Sequence, residues 1–346
     1  MSKINNKFPG KDISLDDIKN KFPLVVKKNA KHKTKFKVNQ IEFGNKLIPI
    51  MAGPNTVESR NFIIKLANFI KKSGAHFLRG GAFKPLTFPY RSKQYYETKE
   101  EGIKWLAEIK NKINLPVITE ITDEKYIDIF YENVDIIQIG SRNMQNFSLL
   151  RTCAKTKKPI MLKRHFGCSI RDWLGAAEHI LLEGNKKVIL CERGITANHT
   201  HRSTSRFLLD LQVIPAIKEI SHLPVAVDPS HATFWEPWVE SMTLASIAAG
   251  ADAIMLEVHP NPSKSAVDPL QAMNFAKFTK SKYCITLGNG TDALEIAVKS
   301  LNLKKGDEVG RFMLGSTVVV CFGMNKIHWE DEISIGSVIK MGQSVG

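Results

Sequence analysis

Eight short apolar runs recur along the chain, at residues 48–52, 77–80, 116–121, 136–139, 159–162, 188–191, 224–227 and 253–258. Segments of helix length separate them, at 57–73, 98–113, 123–131, 146–154, 170–182, 208–220 and 237–249, and one more follows at 268–278. Apolar residues in these segments return every three or four positions, as Phe62, Leu66, Phe69 and Ile70 do. That is the period of a helix with one face on a core. The runs suit strands covered on both faces, and Pro224 to Val227 has no polar position at all. Strand and helix in alternation predict a parallel sheet with right-handed crossovers. Eight repeats is the number that closes an α/β (β/α)8 TIM barrel. A doubly wound open sheet is the competing arrangement, but no G-x-G-x-x-G follows the first run.

The barrel is expected over residues 48–280, with an extension at 1–47 and an appendage at 281–346. In the extension, 36–43 and 46–51 resemble two strands joined at Gly44-Asn45, a hairpin-type signal. Residues 1–46 hold 12 Lys against 4 Asp or Glu, so 8 of the 15 net positive charges lie there. A solvated lysine arm accounts for them. Nucleic-acid binding would need a basic face interleaved with aromatics, and the pattern shows no such face, so no nucleic-acid partner is expected. No apolar run approaches the ~20 residues that span a bilayer. The N-terminus lacks the apolar core of a signal peptide, so neither a membrane partner nor export is expected. Cys153, Cys168, Cys191, Cys284 and Cys321 are odd in number and never spaced C-x-x-C. That favours reduced thiols in the cytoplasm, with Cys191 as core.

In such a barrel, chemistry gathers on the loops after the strands. Those positions hold Asn55 and Glu58, Arg79 and Lys84, Glu120, Gln138 and Arg142, Lys163 and Arg164, Glu192 and Arg193, Asp228 and His231, and Glu257 and His259. Any one of them could be a solvated or structurally paired charge. So many cations at one mouth would repel one another unless an anion neutralised them. The implied ligand is small and multiply negative, carrying phosphate and a carboxylate. His231, Glu257 and Asp268 could hold Mn²⁺, Fe²⁺ or a similar ion with open positions, or could form an ordinary hydrogen-bonded network. His199 and His201 read as part of a polar loop.

The motifs are A-G-P (52–54), L-R-G-G-A-F-K-P (78–85), Q-I-G-S-R-N-M-Q-N-F (138–147), L-K-R (162–164), C-E-R-G (191–194), D-P-S-H (228–231) and E-V-H-P (257–260). In this order they resemble the 3-deoxy-7-phosphoheptulonate (DAHP) synthase family, in the branch related to KDO-8-phosphate synthase. The resemblance implies a cytoplasmic, homo-oligomeric barrel enzyme. It would condense phosphoenolpyruvate with erythrose 4-phosphate at the entry to the shikimate pathway of aromatic amino acid biosynthesis. It implies that Arg79, Lys84, Arg142, Lys163 and Arg193 hold phosphoenolpyruvate, with Gln138 beside them. Arg206 and Thr87 would serve the aldose phosphate, and Lys84, Lys163 and His231 the chemistry. His231, Glu257 and Asp268 match ligands of a divalent ion (Mn, Fe, Co or Zn).

Two positions depart from the family pattern. Asn55 stands where the family has a cysteine ligand, and an amide is a poor substitute for a thiolate, so metal binding is expected to be weak or dispensable. Leu86 replaces an arginine for the aldose phosphate. The lost contact costs about 1.5–3 kcal/mol unless Arg91 or Arg206 substitutes. A KDO-8-phosphate-like synthase using another aldose, or a non-catalytic phosphoenolpyruvate-binding barrel, are the alternatives. In the tail, residues 288–309 resemble the cofactor-phosphate segment of PLP-dependent sugar aminotransferases. Residues 310–346 resemble the small chain of phosphatidylserine decarboxylase, with Ser316 at the self-cleavage position. Neither fragment brings the rest of its site, so a non-catalytic, partly β appendage without PLP or pyruvoyl group is expected.

Overall fold

The computed structural model describes residues 15–84, 97–198, 201 and 207–274. All belong to the first of the two units into which the chain divides, Met1–Thr286. Helix α1 (Leu15–Lys21) precedes an antiparallel hairpin of β1 (Phe36–Val38) and β2 (Ile41–Phe43). The parallel strands are then β3 (Ile50–Gly53), β4 (Phe77–Arg79), β5 (Val117–Ile121), β6 (Ile136–Ile139), β7 (Ile160–Lys163) and β8 (Val188–Glu192). A small antiparallel pair, β9 (Ile195–Thr196) and β10 (Phe207–Leu208), interrupts the series before β11 (Val225–Val227) and β12 (Ala253–Glu257). The eight parallel strands close into a barrel, β12 pairing back onto β3. The (β/α)8 expectation and all eight strands are borne out.

Helices α2 (Arg60–Lys72), α3 (Lys99–Ile113), α4 (Ile127–Asn133), α5 (Phe147–Lys155), α6 (Ile170–Leu182) and α7 (Val213–Ile220) connect successive barrel strands. The short α8 (Pro229–Thr233) begins at the end of β11, and α9 (Glu236–Ala248) leads to β12. Local chemistry sets several starts. Ser59 caps α2 through Phe62 N, and Ser169 and Asp172 form a reciprocal capping box on α6. Among the described residues no helix is long and apolar enough to cross a membrane.

Three expectations shift. The hairpin turns at Asn39-Gln40, with Asn39 at φ +52°, and not at Gly44-Asn45. Gly44, at φ +76°, lies so close to Thr34 that a Cβ would meet its carbonyl oxygen at 2.1 Å, so the glycine serves a close backbone approach instead. Helix α7 starts at Val213 because residues 207–208 are taken up by β10. From 268 to 274 the chain is not helical, Asp268 standing at φ +51°; the remainder of the eighth helical segment lies outside the described residues.

The barrel interior fills from below. Met51, Phe77, Ile118, Ile136, Met161, Ile189, Cys191, Ala226, Ala253 and Met255 pack into one buried cluster that includes Val38 and Phe43 of the hairpin. The Phe43 and Phe77 rings lie 5.6 Å apart. The hairpin therefore plugs the N-terminal end of the barrel, and the larger apolar cluster lies between strands and helices.

Candidate active site

Side chains alternate in and out along a strand, so the residue two positions beyond each interior core residue also points inward, one layer higher. Arg79 stands above Phe77, Glu120 above Ile118, Gln138 above Ile136 and Lys163 above Met161. Arg193 follows Cys191, Asp228 follows Ala226 and Glu257 follows Met255. One polar layer thus rests on the plugged core at the C-terminal mouth. The same alternation sends Arg164 and Glu192 outward. There Arg164 pairs with Glu192 at 3.0 Å and with Asp210 at 2.8 Å, beneath Trp173 of α6. Burial pushes the Glu192 carboxyl up against the pull of Arg164. This is an ion pair that ties two loops together, away from the mouth.

Arg79, Lys84, Asn55, Glu120 and Gln138 line a narrow cleft together with Gly80 and Gly81. Gln138 Nε2 donates to Glu120 Oε2 at 3.1 Å. The Glu120 carboxylate lies over Gly140, where a Cβ would meet it at 1.9 Å. Lys84 is half-buried, and loss of solvent lowers its pKa, with Arg79 adding to this effect and Glu120, Asp268 and Glu257 opposing it. Arg79, 5% exposed, donates through Nη2 to Asn55 Oδ1 at 3.2 Å and through Nη1 to Glu257 Oε2 at 3.4 Å. Burial raises the Glu257 pKa to about 7 despite Arg79.

Lys163 and His231 meet at Asp228. Lys163 Nζ donates to Asp228 Oδ2 at 2.5 Å, and His231 Nδ1 lies 2.8 Å from the same oxygen. Burial drives the His231 pKa well below its usual value, so its ring is neutral. Burial also opposes the Asp228 charge, yet its pKa is held well below the carboxylate range. His231, Lys163 and Arg79 around it hold it there. Arg193 lies over the Phe207 ring at 4.2 Å, with Gly194 at φ +94° admitting Phe207 where a Cβ would stand 2.8 Å from it. Arg142 is exposed on the turn after β6. Thr87, Leu86, Arg91, Arg206 and His199 lie outside the described residues.

His231, Glu257 and Asp268 approach one region but do not form a metal cage. Among the described residues no group of three or more His, Cys, Asp or Glu is placed to hold an ion. His231 Nε2 is 3.7 Å from Glu257 Oε2. Asn55 has both ends of its amide engaged, its oxygen by Arg79 and its Nδ2 by Asp268 Oδ2 at 2.7 Å. A neutral amide whose oxygen already accepts from Arg79 is a weaker ligand than a thiolate, and Arg79 already supplies positive charge to Glu257. Gln271, not among the sequence-predicted site residues, is fully buried and donates to Glu257 Oε2 at 2.5 Å. The sequence reading puts it in a helix-length segment, and only the fold, non-helical there, brings it beside Glu257.

A closed barrel whose plugged interior ends in a buried layer of Arg, Lys and compensating carboxylates defines an enzyme class that handles small phosphorylated anions. The sequence profile of the DAHP synthetase I family matches residues 25–292, and the chain belongs to that family. It is 39% identical over 257 residues, 74% of each chain, to phospho-2-dehydro-3-deoxyheptonate aldolase of Thermotoga maritima. It is 27% identical over 259 residues to 2-dehydro-3-deoxyphosphooctonate aldolase of Koribacter versatilis, covering 69% of this chain and 90% of that one. The solved structure of the Thermotoga maritima DAHP synthase superposes with a TM-score of 0.69 at 36% identity, over 80% of this chain and 77% of that chain. A truncated form of the Thermotoga enzyme gives 0.68 and is covered to 98%. A second profile, of phosphatidylserine decarboxylase, matches residues 249–346, beginning upstream of the 310–346 segment in which the resemblance was seen.

Proposed function

We propose that this chain condenses phosphoenolpyruvate with erythrose 4-phosphate, releasing inorganic phosphate, at the first step of the shikimate route to aromatic amino acids. The observation that carries this reading is the layer of buried Arg79 and Lys163 with half-buried Lys84 at the barrel mouth, in a chain 39% identical to a heptonate-forming relative. Arg79, Lys84, Lys163 and Arg193, with Arg142 at the rim, hold the phosphate and carboxylate of phosphoenolpyruvate. Gln138 and Glu120 shape the wall, and Thr87 and Arg206 serve the aldose phosphate. Holding two mutually repelling anions within reach of each other is the first contribution of this cradle.

C3 of phosphoenolpyruvate attacks the aldehyde carbon, and the aldehyde oxygen takes a proton from Lys84, whose lowered pKa makes it the readier donor. Positive charge develops at C2, which water captures. Neutral His231 accepts one proton of that water, and the second leaves with phosphate as the ketone forms. Lys163 neutralises the departing phosphate. Enzymes of this family are generally metal-dependent. Because Asn55 is tied to Arg79 and Asp268, we infer that metal is held weakly or is dispensable here. The tail is assigned no catalytic part, and intact mass spectrometry should find one uncut chain, with no cleavage at Ser316.

Phosphate release from phosphoenolpyruvate with the purified full chain tests the proposal. Release is expected with erythrose 4-phosphate. Release with arabinose 5-phosphate alone would transfer the activity to the octulosonate reaction, a shift that Leu86 makes worth testing. No release with either aldose overturns the proposal.

A further inference from the structure

We propose that Phe207 is a positioning residue that holds the Arg193 guanidinium at the barrel mouth without neutralising it. The kinetic consequence rests on the reading above that Arg193 holds phosphoenolpyruvate; the geometry does not. The chain on either side of the loop after β8 is fastened to one carboxylate. Glu192 Oε1 accepts from Gly194 N at 2.6 Å and from Asp210 N at 3.5 Å, while Oε2 accepts from Arg164, which also binds Asp210. The chain leaving β8 and the chain approaching α7 are therefore held together. Between them Phe207 pairs with Thr196 in the β9–β10 ladder. Gly194, at φ +94°, has no Cβ to fend off Phe207 or Ala232 of α8. Thr196 N donates to Phe166 O at 2.8 Å, and the Phe166 ring, on the loop after β7, lies with its centroid 5.3 Å from that of Phe207. The Phe207 ring is thus clamped from two sides, with Arg193 Cζ 4.2 Å from its centroid.

Two other cations of the mouth are held differently. Lys163 lies on the Asp228 carboxylate, and Arg79 on Asn55 and Glu257. A carboxylate fixes a cation by cancelling its charge, whereas an aromatic ring attracts it through its quadrupole and leaves the charge in place. A planar, weakly hydrated guanidinium suits that contact better than an ammonium does. The ring supplies an Arg193 that is already ordered, so a phosphorylated anion meets a cation that loses little further freedom on binding. Such an interaction strengthens substrate and transition state alike, and its loss falls on KM more than on kcat. Leucine keeps the apolar character of the position but has no π face; tyrosine keeps the face.

Phe207→Leu is expected to raise the KM for phosphoenolpyruvate about tenfold while kcat stays within about threefold of wild type, and Phe207→Tyr to keep KM within about threefold. A leucine variant with KM within about twofold of wild type, a kcat loss larger than the rise in KM, or a tyrosine variant no better than leucine overturns the proposal. The wild-type chain carries an independent test. In nitrogen-15 relaxation of its arginine side chains, with Arg193 assigned by its loss in Arg193→Lys, the Arg193 Nε is expected to be as ordered as the backbone. Mobility typical of an exposed arginine overturns the proposal, whether or not Phe207→Leu folds. If the wild-type chain releases no phosphate, the synthase reading fails on its own. An ordered Arg193 that loosens in Phe207→Leu then still upholds the positioning, and one that stays ordered in that variant overturns it.

Discussion

The lower and upper halves of the barrel interior are built by the same eight strands, two residues apart, and obey opposite rules. Below, Met51, Phe77, Ile118, Ile136, Met161 and Met255 pack on one another and on Phe43 of the plug, with no polar side-chain atom to satisfy. Above, Arg79, Lys163, Asp228 and Glu257 are each no more than 5% exposed and hold one another's charge, while Glu257 Oε1 and Gln271 Oε1 are buried without a hydrogen-bond partner. The lower layer is complete in itself. The upper one is compensated only in part, and a buried charge of this kind is favourable mainly when something further binds to it. Stability and chemistry are thus separated by a single pleat, which makes the two layers testable against each other.

Lys163→Met is expected to do most. It removes a group placed at the leaving phosphate and leaves the Asp228 carboxylate buried without its cation. Phosphate release should fall by about 10²–10⁴-fold, with about 3–5 kcal/mol of stability lost in urea unfolding. A variant retaining near-wild-type turnover would dissolve the functional half of the comparison. Phe43→Ala probes the other layer. It should cost about 3–5 kcal/mol by opening a cavity beneath Phe77. At temperatures where the variant stays folded, its kcat should remain within about twofold of wild type, because no reacting group touches it. A large kcat loss in folded Phe43→Ala protein would mean the layers are mechanically coupled.

Glu257 gives the pH dependence its sign. Its folded pKa of about 7 lies above the unfolded value near 4.3. The native state therefore keeps a proton that the unfolded chain gives up between those values. The stability this contributes is fully present below about pH 4.3 and is lost as pH rises through about 7. Glu257→Gln carries no such titration. Its stability relative to wild type should rise by up to about 3 kcal/mol between pH 5 and pH 8, read from urea midpoints at each pH. A difference that stays flat would mean that Arg79 fully compensates the carboxylate.

Much of this was legible in the chain itself. The eight strands announce themselves because most apolar runs end in charge, and the period of two then sorts inward Lys163 from outward Arg164. The hairpin turn was misplaced because Gly44-Asn45 carries the stronger local turn chemistry, yet tertiary contact with Thr34 claims that glycine and leaves the turn to Asn39. The β9–β10 pair is only two residues per strand and leaves no periodic trace. Arg79, Lys84 and Lys163 could be nominated from their place at strand ends. Their partners could not. Asp228 bridging two strands, Gln271 under Glu257 and Phe207 beneath Arg193 depend on closure of the barrel and on loop paths.

Asn55 carries the smallest expected effect and the sharpest contrast within the upper layer. Where a thiolate would reach toward a cation, its amide instead relays between Arg79 and Asp268, so the positive charge beside Glu257 comes from a guanidinium that needs no loading. Exhaustive chelation should therefore change wild-type phosphate release by less than about twofold, a guanidinium being permanently charged. Asn55→Cys should release Asp268 from that bond and add a soft ligand, so that Co²⁺ gives a thiolate charge-transfer band in the variant and none in the wild type. A tenfold loss on chelation, restored by a divalent ion, would show that the relay through Asn55 opens to admit metal and that the upper layer is less self-sufficient than its hydrogen bonds imply.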